Sequence, residues 1–258
     1  MTKALHLPGL EVDPTWLVQH QSHPQLRIFD VRLRESYDEG HIPDAVWIDL
    51  SALTMTIDGV EGMLLPPADY ARLLGELGID DTKHVVLYDD NWGMPAARVL
   101  WGLARYGHNQ AAILRGGWDR WQAEGRPHNQ TPVTPEPTTF TIREQAQHLA
   151  ERDWLLTQVS NPATVIVDVR TPNEYAQGHL PQAILWDWMN GVPIAGWDAF
   201  RPADKLLPEL AELGVTPDKE VVVYCRSGAR AAHTYLLLRI LGFPNVRNYD
   251  GSWLDWNR

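Results

Sequence analysis

The sequence predicts an α/β fold built twice in tandem, and three observations carry that expectation. The first is a repeat with the length of a domain. Residues 29–50, FDVRLRESYDEGHIPDAVWIDL, align without a gap with residues 167–188, VDVRTPNEYAQGHLPQAILWDW. The pairs are Asp30 and Asp168, Arg32 and Arg170, Tyr37 and Tyr175, Gly40 and Gly178, His41 and His179, Pro43 and Pro181, Asp49 and Asp187. Further on, the segment starting at Val85 matches the one starting at Val221, and GGWDRW at 116–121 matches GSWLDW at 251–256. A period this long exceeds a solenoid unit and suits a duplicated domain. The second observation is alternation: short runs apolar on both faces are separated by segments with helical spacing, the pattern of a parallel sheet covered on both sides. The third is that glycines close the helical segments.

In the second copy the elements follow in order. Thr164 to Val169 reads as a short, continuously apolar strand, and Pro202 to Leu213 has helical spacing with Gly214 as its stop. Val221 to Tyr224 reads as another buried strand, followed by a helix from Ala229 to Leu241 that Gly242 closes. Between the copies, RPHNQTPVTPEPTT is rich in Pro and Thr and reads as an extended linker. The expected division is a first domain over 1–127, a linker over 128–139 and a second domain over 140–258.

Composition narrows the function classes. The 258 residues are 44% hydrophobic and 21% charged, as in an average globular protein. A single cysteine excludes an internal disulfide, so nothing points to an oxidising compartment. The opening MTKALHLPGLEVDPTW has no basic stretch followed by a long apolar one, and no apolar run approaches a membrane span. A cytoplasmic protein that does not engage membranes is the expectation. The net charge of −11 argues against nucleic-acid binding, which needs clustered Lys and Arg. No His/Cys/Asp/Glu group has metal-ligand spacing, and neither metal nor organic cofactor is expected.

The lone Cys225 is the candidate nucleophile. It stands where the run Val221–Tyr224 gives way to Cys225-Arg226-Ser227-Gly228-Ala229-Arg230 and then to a helix. Unpaired N–H groups and the positive end of the helix dipole favour a thiolate there. The other reading of a free cysteine is a small buried apolar residue. Against it stand two arginines and a glycine within the next five residues. In an open parallel sheet, ligands bind beyond the carboxyl ends of the strands, which is where Cys225 falls. Ser227, Gly228 and Ala229 are small enough for successive backbone N–H groups to point inward and form an anion-binding nest, with Arg226 and Arg230 as its cations.

Taken together, the DVR…GHxP…A blocks, the strand-YC-loop-helix unit and the GSWxxW ending resemble the rhodanese family of sulfurtransferases in its two-domain form, over nearly the whole chain. The resemblance implies a Cys225 that accepts a sulfane sulfur as a persulfide and passes it to a thiophile, with no cofactor. It also implies that the first domain is catalytically inactive, with Asp89 in the place of the nucleophile. The partners it implies are a small anionic sulfur donor and a cyanide or thiol acceptor. Glutathione, a thioredoxin-like protein or a sulfur-relay protein are left open as acceptors.

Loop length separates sulfur transfer from a related chemistry. Phosphatases and arsenate reductases with a similar fold carry a longer cysteine-to-arginine loop, wide enough for a tetrahedral oxyanion. Here only Arg226 to Ala229 lie between Cys225 and Arg230. The donor is less sharply indicated. CRSGAR has the Arg226 of thiosulfate-type enzymes, the Ser227 of mercaptopyruvate-type enzymes, and an Arg230 more like that of single-domain relatives. Glu174 stands where two-domain enzymes place an arginine, which weakens the mercaptopyruvate alternative because a carboxylate donor calls for an arginine clamp. Thiosulfate is the expected donor. A non-enzymatic carrier or regulatory role is a further alternative, which the retained cysteine opposes.

The other recurring residues have structural readings. Asp168 with Arg170, and Asp30 with Arg32, occur in both copies although only one copy has a nucleophile, so they are expected to hold a shared loop. His41 and His179 each follow a glycine and are expected to bond backbone. Trp118, Trp121, Trp253 and Trp256 recur in pairs at helical spacing and are expected as core or interface anchors. Trp92, in the degenerate loop, is expected to line a cleft opposite Cys225.

Overall fold

The structure is a computed structural model that describes residues 4–258. The chain forms two compact units. One holds the residues up to Leu53 together with Leu65–Glu144, and the other holds Thr54–Leu64 together with Gln145–Arg258.

In chain order the elements begin with β1 (Glu11–Val12), α1 (Pro14–His20), β2 (Leu26–Asp30), α2 (Arg34–Glu39) and β3 (Ala45–Trp47). A hairpin follows, β4 (Thr54–Ile57) and β5 (Val60–Leu64). The chain then returns to the first unit for α3 (Pro67–Glu76), β6 (His84–Tyr88), α4 (Met94–Arg105), β7 (Ala111–Leu114) and α5 (Gly117–Ala123). The second unit continues with β8 (Leu149–Ala150), α6 (Arg152–Gln158), β9 (Thr164–Asp168), α7 (Pro172–Ala176) and β10 (Ile184–Leu185). It ends with α8 (Ala203–Glu212), β11 (Glu220–Tyr224), α9 (Ala229–Ile240), β12 (Val246–Tyr249) and α10 (Ser252–Trp256).

Each unit is built on a five-stranded, all-parallel sheet. The orders are β1-β7-β6-β2-β3 and β8-β12-β11-β9-β10, one topology repeated. The central strands explain why. On β6, Val86 and Tyr88 join a core with Leu17 of α1 and Trp118 and Trp121 of α5, while Val85 and Leu87 on the opposite face are equally buried. On β11, Val222 and Tyr224 pack with Leu155 of α6, and Val221 and Val223 are buried on the other side. A strand buried on both faces needs helices on both, and α4 and α9 supply the second cover. Helix α9 is buried from Ala231 through Leu238, so it carries no polar stripe.

The expected strands and helices of the second copy stand within a residue or two of their sequence bounds. Two packing features shape the units. First, residues 128–139 pack within the first unit: Asn129 and His41 exchange backbone hydrogen bonds of 2.9 and 3.0 Å, and Thr138 N–H donates to the Gly75 carbonyl at 2.8 Å. A methyl at Gly75 would stand 2.6 Å from that Thr138 oxygen, so the close approach requires glycine. Second, the β4–β5 hairpin, although encoded in the first copy, packs in the second unit, where Leu64 N–H donates to Asp250 Oδ2 at 2.8 Å.

Candidate active site

The carboxyl ends of β9 and β11 bound the switch point of the second sheet. From β9 the chain crosses to β10 on one side, and from β11 to β12 on the other. At such a switch point, beyond the carboxyl ends of the strands, α/β sheets bind ligands. Cys225 follows β11 there, and Glu174 stands in α7, which follows β9.

Cys225 is buried, with 1% of its surface exposed. Its sulfur accepts the Gly228 N–H at 3.2 Å. Gly228 caps the start of α9 with φ +83°, a left-handed conformation that turns its N–H back toward the sulfur. The backbone beneath is pinned on three sides. Cys225 N–H donates to Ser252 Oγ at 3.1 Å, Trp253 N–H donates to the Cys225 carbonyl at 3.1 Å, and Asn248 Nδ2 donates to the Gly228 carbonyl at 3.1 Å. Ser252 and Asn248 are fully buried. Sequence reading passed over both. Their signal was faint: Ser252 stands where the first copy has Gly117, within an otherwise shared motif.

The two arginines of the loop differ. Arg226 is exposed and makes no side-chain hydrogen bond or ion pair among the described residues. Arg230, in the first turn of α9, gives NH1 and NH2 to the two oxygens of Glu174, each at 2.8 Å. The Glu174 carboxylate, and after it the nearby Cys225, hold the Arg230 guanidinium above its ordinary range. The Arg230 hydrogen bonds hold the Glu174 carboxyl down to about 2. Glu174 is thus more than a missing arginine: it is the partner of Arg230. Ser227 lies under the hairpin, where a methyl at Gly62 would come within 3.3 Å of its Cβ. Ala229 opens α9 as a residue too small to narrow the loop.

The first unit repeats this loop with different chemistry. Asp89 occupies the cysteine position and accepts N–H groups from Asn91, Gly93 and Ala96 at 2.8, 2.9 and 2.9 Å. The carboxylate fills the nest that a substrate anion would use. Its burial pushes the carboxyl up to about 6, against the pull of those three donors. Between Asp89 and the capping Gly93 the loop is one residue longer than between Cys225 and Gly228. The extra residue is accommodated with Trp92 at φ +52°, half exposed.

The shared residues hold shared structure. Arg170 pairs with the buried Asp168 and donates to the Gly178 carbonyl at 2.7 Å; Arg32 does the same with Asp30 and the Gly40 carbonyl at 2.6 Å. Tyr224 and Tyr88 donate to those two aspartates. His41 and His179 bond the Tyr37 and Tyr175 carbonyls through Nδ1 and stack on their rings with centroids 3.8 Å apart. Trp118 and Trp121 are buried, and Trp253 and Trp256 pack against the second core. No group of three His, Cys, Asp or Glu side chains among the described residues could hold a metal ion.

Comparison with known proteins agrees with this geometry. The Rhodanese-like domain family matches residues 13–124 and again residues 151–258. The chain belongs to the rhodanese family, as a tandem of two such domains. It is 33% identical over 257 residues to the thiosulfate sulfurtransferase of Pseudomonas aeruginosa, covering 96% of this chain and 93% of that one. It is 32% identical to the sulfur carrier protein TtuD of Thermus thermophilus, covering 96% and 94%. Among solved structures, the 3-mercaptopyruvate sulfotransferase SseA of Escherichia coli superposes with a TM-score of 0.87 at 28% identity, covering 95% of this chain and 99% of that one.

Proposed function

We propose that this protein is a sulfurtransferase that takes the outer sulfur of thiosulfate onto Cys225 and passes it to cyanide or a thiol. The observation that carries the reading is the Cys225 sulfur held at the head of α9 by the Gly228 N–H, 3.2 Å away. The thiolate attacks the sulfane sulfur of thiosulfate. A new S–S bond forms, the S–S bond of the donor breaks, and sulfite leaves with the bonding pair. The persulfide anion then rests among the N–H groups of the 226–230 loop, a nest suited to a charged sulfur. In the second step the acceptor attacks the outer sulfur. With cyanide a C–S bond forms, thiocyanate departs and the Cys225 thiolate is restored, a ping-pong cycle.

Thiosulfate is favoured because Arg226 is the loop cation with no side-chain partner among the described residues, and Glu174 occupies Arg230. A donor carboxylate finds no unpaired two-pronged clamp on that side. The likeness to SseA supports mercaptopyruvate as the second reading. A cytoplasmic setting, where thiols are kept reduced, suits a thiol acceptor, and a thioredoxin-like or sulfur-relay protein would meet the same chemistry. No helix among the described residues is long and apolar enough to cross a membrane.

Intact mass tests the reading. After incubation with thiosulfate the protein is expected to gain about 32 Da, one sulfur atom, and Cys225→Ala to gain nothing. Absence of the adduct from any sulfane donor, with phosphatase turnover in its place, would reject sulfur transfer. A larger adduct yield with mercaptopyruvate would transfer the donor assignment to the second reading.

A further inference from the structure

We propose that Glu174 is a positioning residue that reserves Arg230 for the Cys225 sulfur and leaves Arg226 to capture the anionic donor. The proposal rests on the sulfur-transfer reading for its substrate, although the geometry stands apart from it. Two guanidinium groups flank Cys225 in the loop, yet only one is committed. Arg230 spends both terminal nitrogens on Glu174, in the bidentate arrangement that fixes a guanidinium plane most firmly.

Glu174 is fixed in turn. It is the third helical residue of α7, and Thr171 caps that helix in a reciprocal capping box. Thr171 Oγ1 and Thr171 N–H donate to Glu174 Oε2 at 2.9 and 3.1 Å. The carboxylate therefore takes donors from the loop after β9 on one side and from α9 on the other, and it ties the two banks of the switch point together. Held this way, Arg230 keeps its place beside the sulfur through thiolate, persulfide and thiolate again. With a carboxylate in contact, its field toward an arriving anion is largely cancelled, whereas Arg226 presents a full charge at the surface.

The rhodanese-like loop thus divides two tasks that its sequence, with two arginines, leaves merged. Arg226 acts on the donor before reaction. Arg230 acts on the sulfur during it. Removing the Glu174 charge would return Arg230 to the pool of anion-binding cations and at the same time loosen it from the sulfur.

Because Cys225 is the only cysteine, alkylation reports on it alone. The experiment compares second-order rate constants for neutral iodoacetamide and anionic iodoacetate in the full-length wild-type protein, Glu174→Gln and Arg226→Gln. Glu174→Gln is expected to raise the iodoacetate-to-iodoacetamide ratio about fivefold, the effect of one uncovered charge at a partly screened site. Arg226→Gln is expected to lower it by a similar factor. In thiosulfate turnover, Glu174→Gln is expected to lower KM and kcat together, while Arg226→Gln raises KM. Thr171→Ala, which loosens Glu174 without removing its charge, should raise the alkylation ratio by a smaller factor.

An unchanged ratio in both Glu174→Gln and Thr171→Ala, even with a lowered melting temperature, would make the pair a prop of the fold and overturn the proposal. So would an Arg230→Gln protein whose thiosulfate KM rises as far as that of Arg226→Gln. If the ratios move as expected and no persulfide forms from thiosulfate, the sulfur-transfer reading fails and the assignment of the two arginines stands.

Discussion

One position, occupied by Asp89 in the first unit and Cys225 in the second, sets a carboxylate and a thiol in the same backbone surroundings. Both sit after the central strand and both take the N–H of the glycine that caps the next helix, Gly93 at 2.9 Å and Gly228 at 3.2 Å. The carboxylate carries its own negative charge into a loop where the second unit has a thiol. That charge is buried, and the carboxyl stands at about 6 against an ordinary 3.8. A carboxyl raised on folding gives stability that is complete below its unfolded value and is lost as pH rises through its folded one. For Asp89 the window runs from about pH 4 to about pH 6, and the swing is about 3 kcal/mol at most. Glu174 works in the opposite sense: its contribution is present above the usual 4.5 and fades as pH falls toward 2. Asp89→Asn cannot titrate, so its urea-denaturation stability is expected to lack the loss that the wild type shows between pH 4 and pH 6. Identical pH slopes for the two proteins would contradict the assignment. That Asp89 aligns with Cys225 was legible from sequence alone. Its role as a built-in anion was not, because that depends on three N–H groups converging in space.

At the scale of elements, the β4–β5 hairpin is the feature that sequence reading missed. The regular strands and helices were legible because burial on both faces and glycine stops leave local marks, as at Val221–Tyr224 and at Gly242. The hairpin lies between the aligned blocks of the repeat, so comparison of the two copies never reached it. Its partner, Asp250, lies 186 positions away from Leu64, beyond any local pattern. Two glycines of the hairpin allow its influence on the Cys225 loop to be measured. Gly59 and Gly62 have nearly the same left-handed φ, +81° and +78°, so alanine at either carries similar backbone strain, about 1 kcal/mol. A methyl at Gly59 meets nothing within 4 Å, whereas one at Gly62 meets Ser227 Cβ at 3.3 Å and its carbonyl oxygen at 3.6 Å. Gly59→Ala is therefore expected to lower stability with sulfur transfer intact, and Gly62→Ala to lower stability similarly and reduce kcat/KM several-fold. Equal activities in the two variants would show that the hairpin does not press on the loop.

For the whole molecule, duplication explains the two sheets of identical strand order, and divergence explains why only one carries a thiol. The sequence repeat made this architecture legible, but not the borders of the units. Pro and Thr content marked residues 128–139 as extended, yet composition is silent about whether an extended chain floats or docks, and here Thr138 bonds Gly75. The same silence hid the exchange of the hairpin, through which the second unit depends on residues encoded before Leu65. Beyond the Asp250 bond and the Gly62 contact, Arg258 donates to the carbonyl of Asp58, so three separate places on the second unit engage the hairpin. Asp250 is 3% exposed, and loss of the Leu64 N–H strips a charge-assisted hydrogen bond from a buried carboxylate, worth about 1–3 kcal/mol. A fragment spanning residues 145–258 keeps every residue of the Cys225 loop and the whole parallel sheet, but not this hairpin. It is expected to unfold at lower urea concentration than the second unit does within the full chain, and to transfer sulfur more slowly. The isolated hairpin cannot make up the difference, since two strands alone are marginal in water. If the fragment matches the full chain in midpoint and turnover, the hairpin is a passenger. If it falls short in both, the catalytic unit begins in the first copy, and the duplicated halves are no longer separable parts.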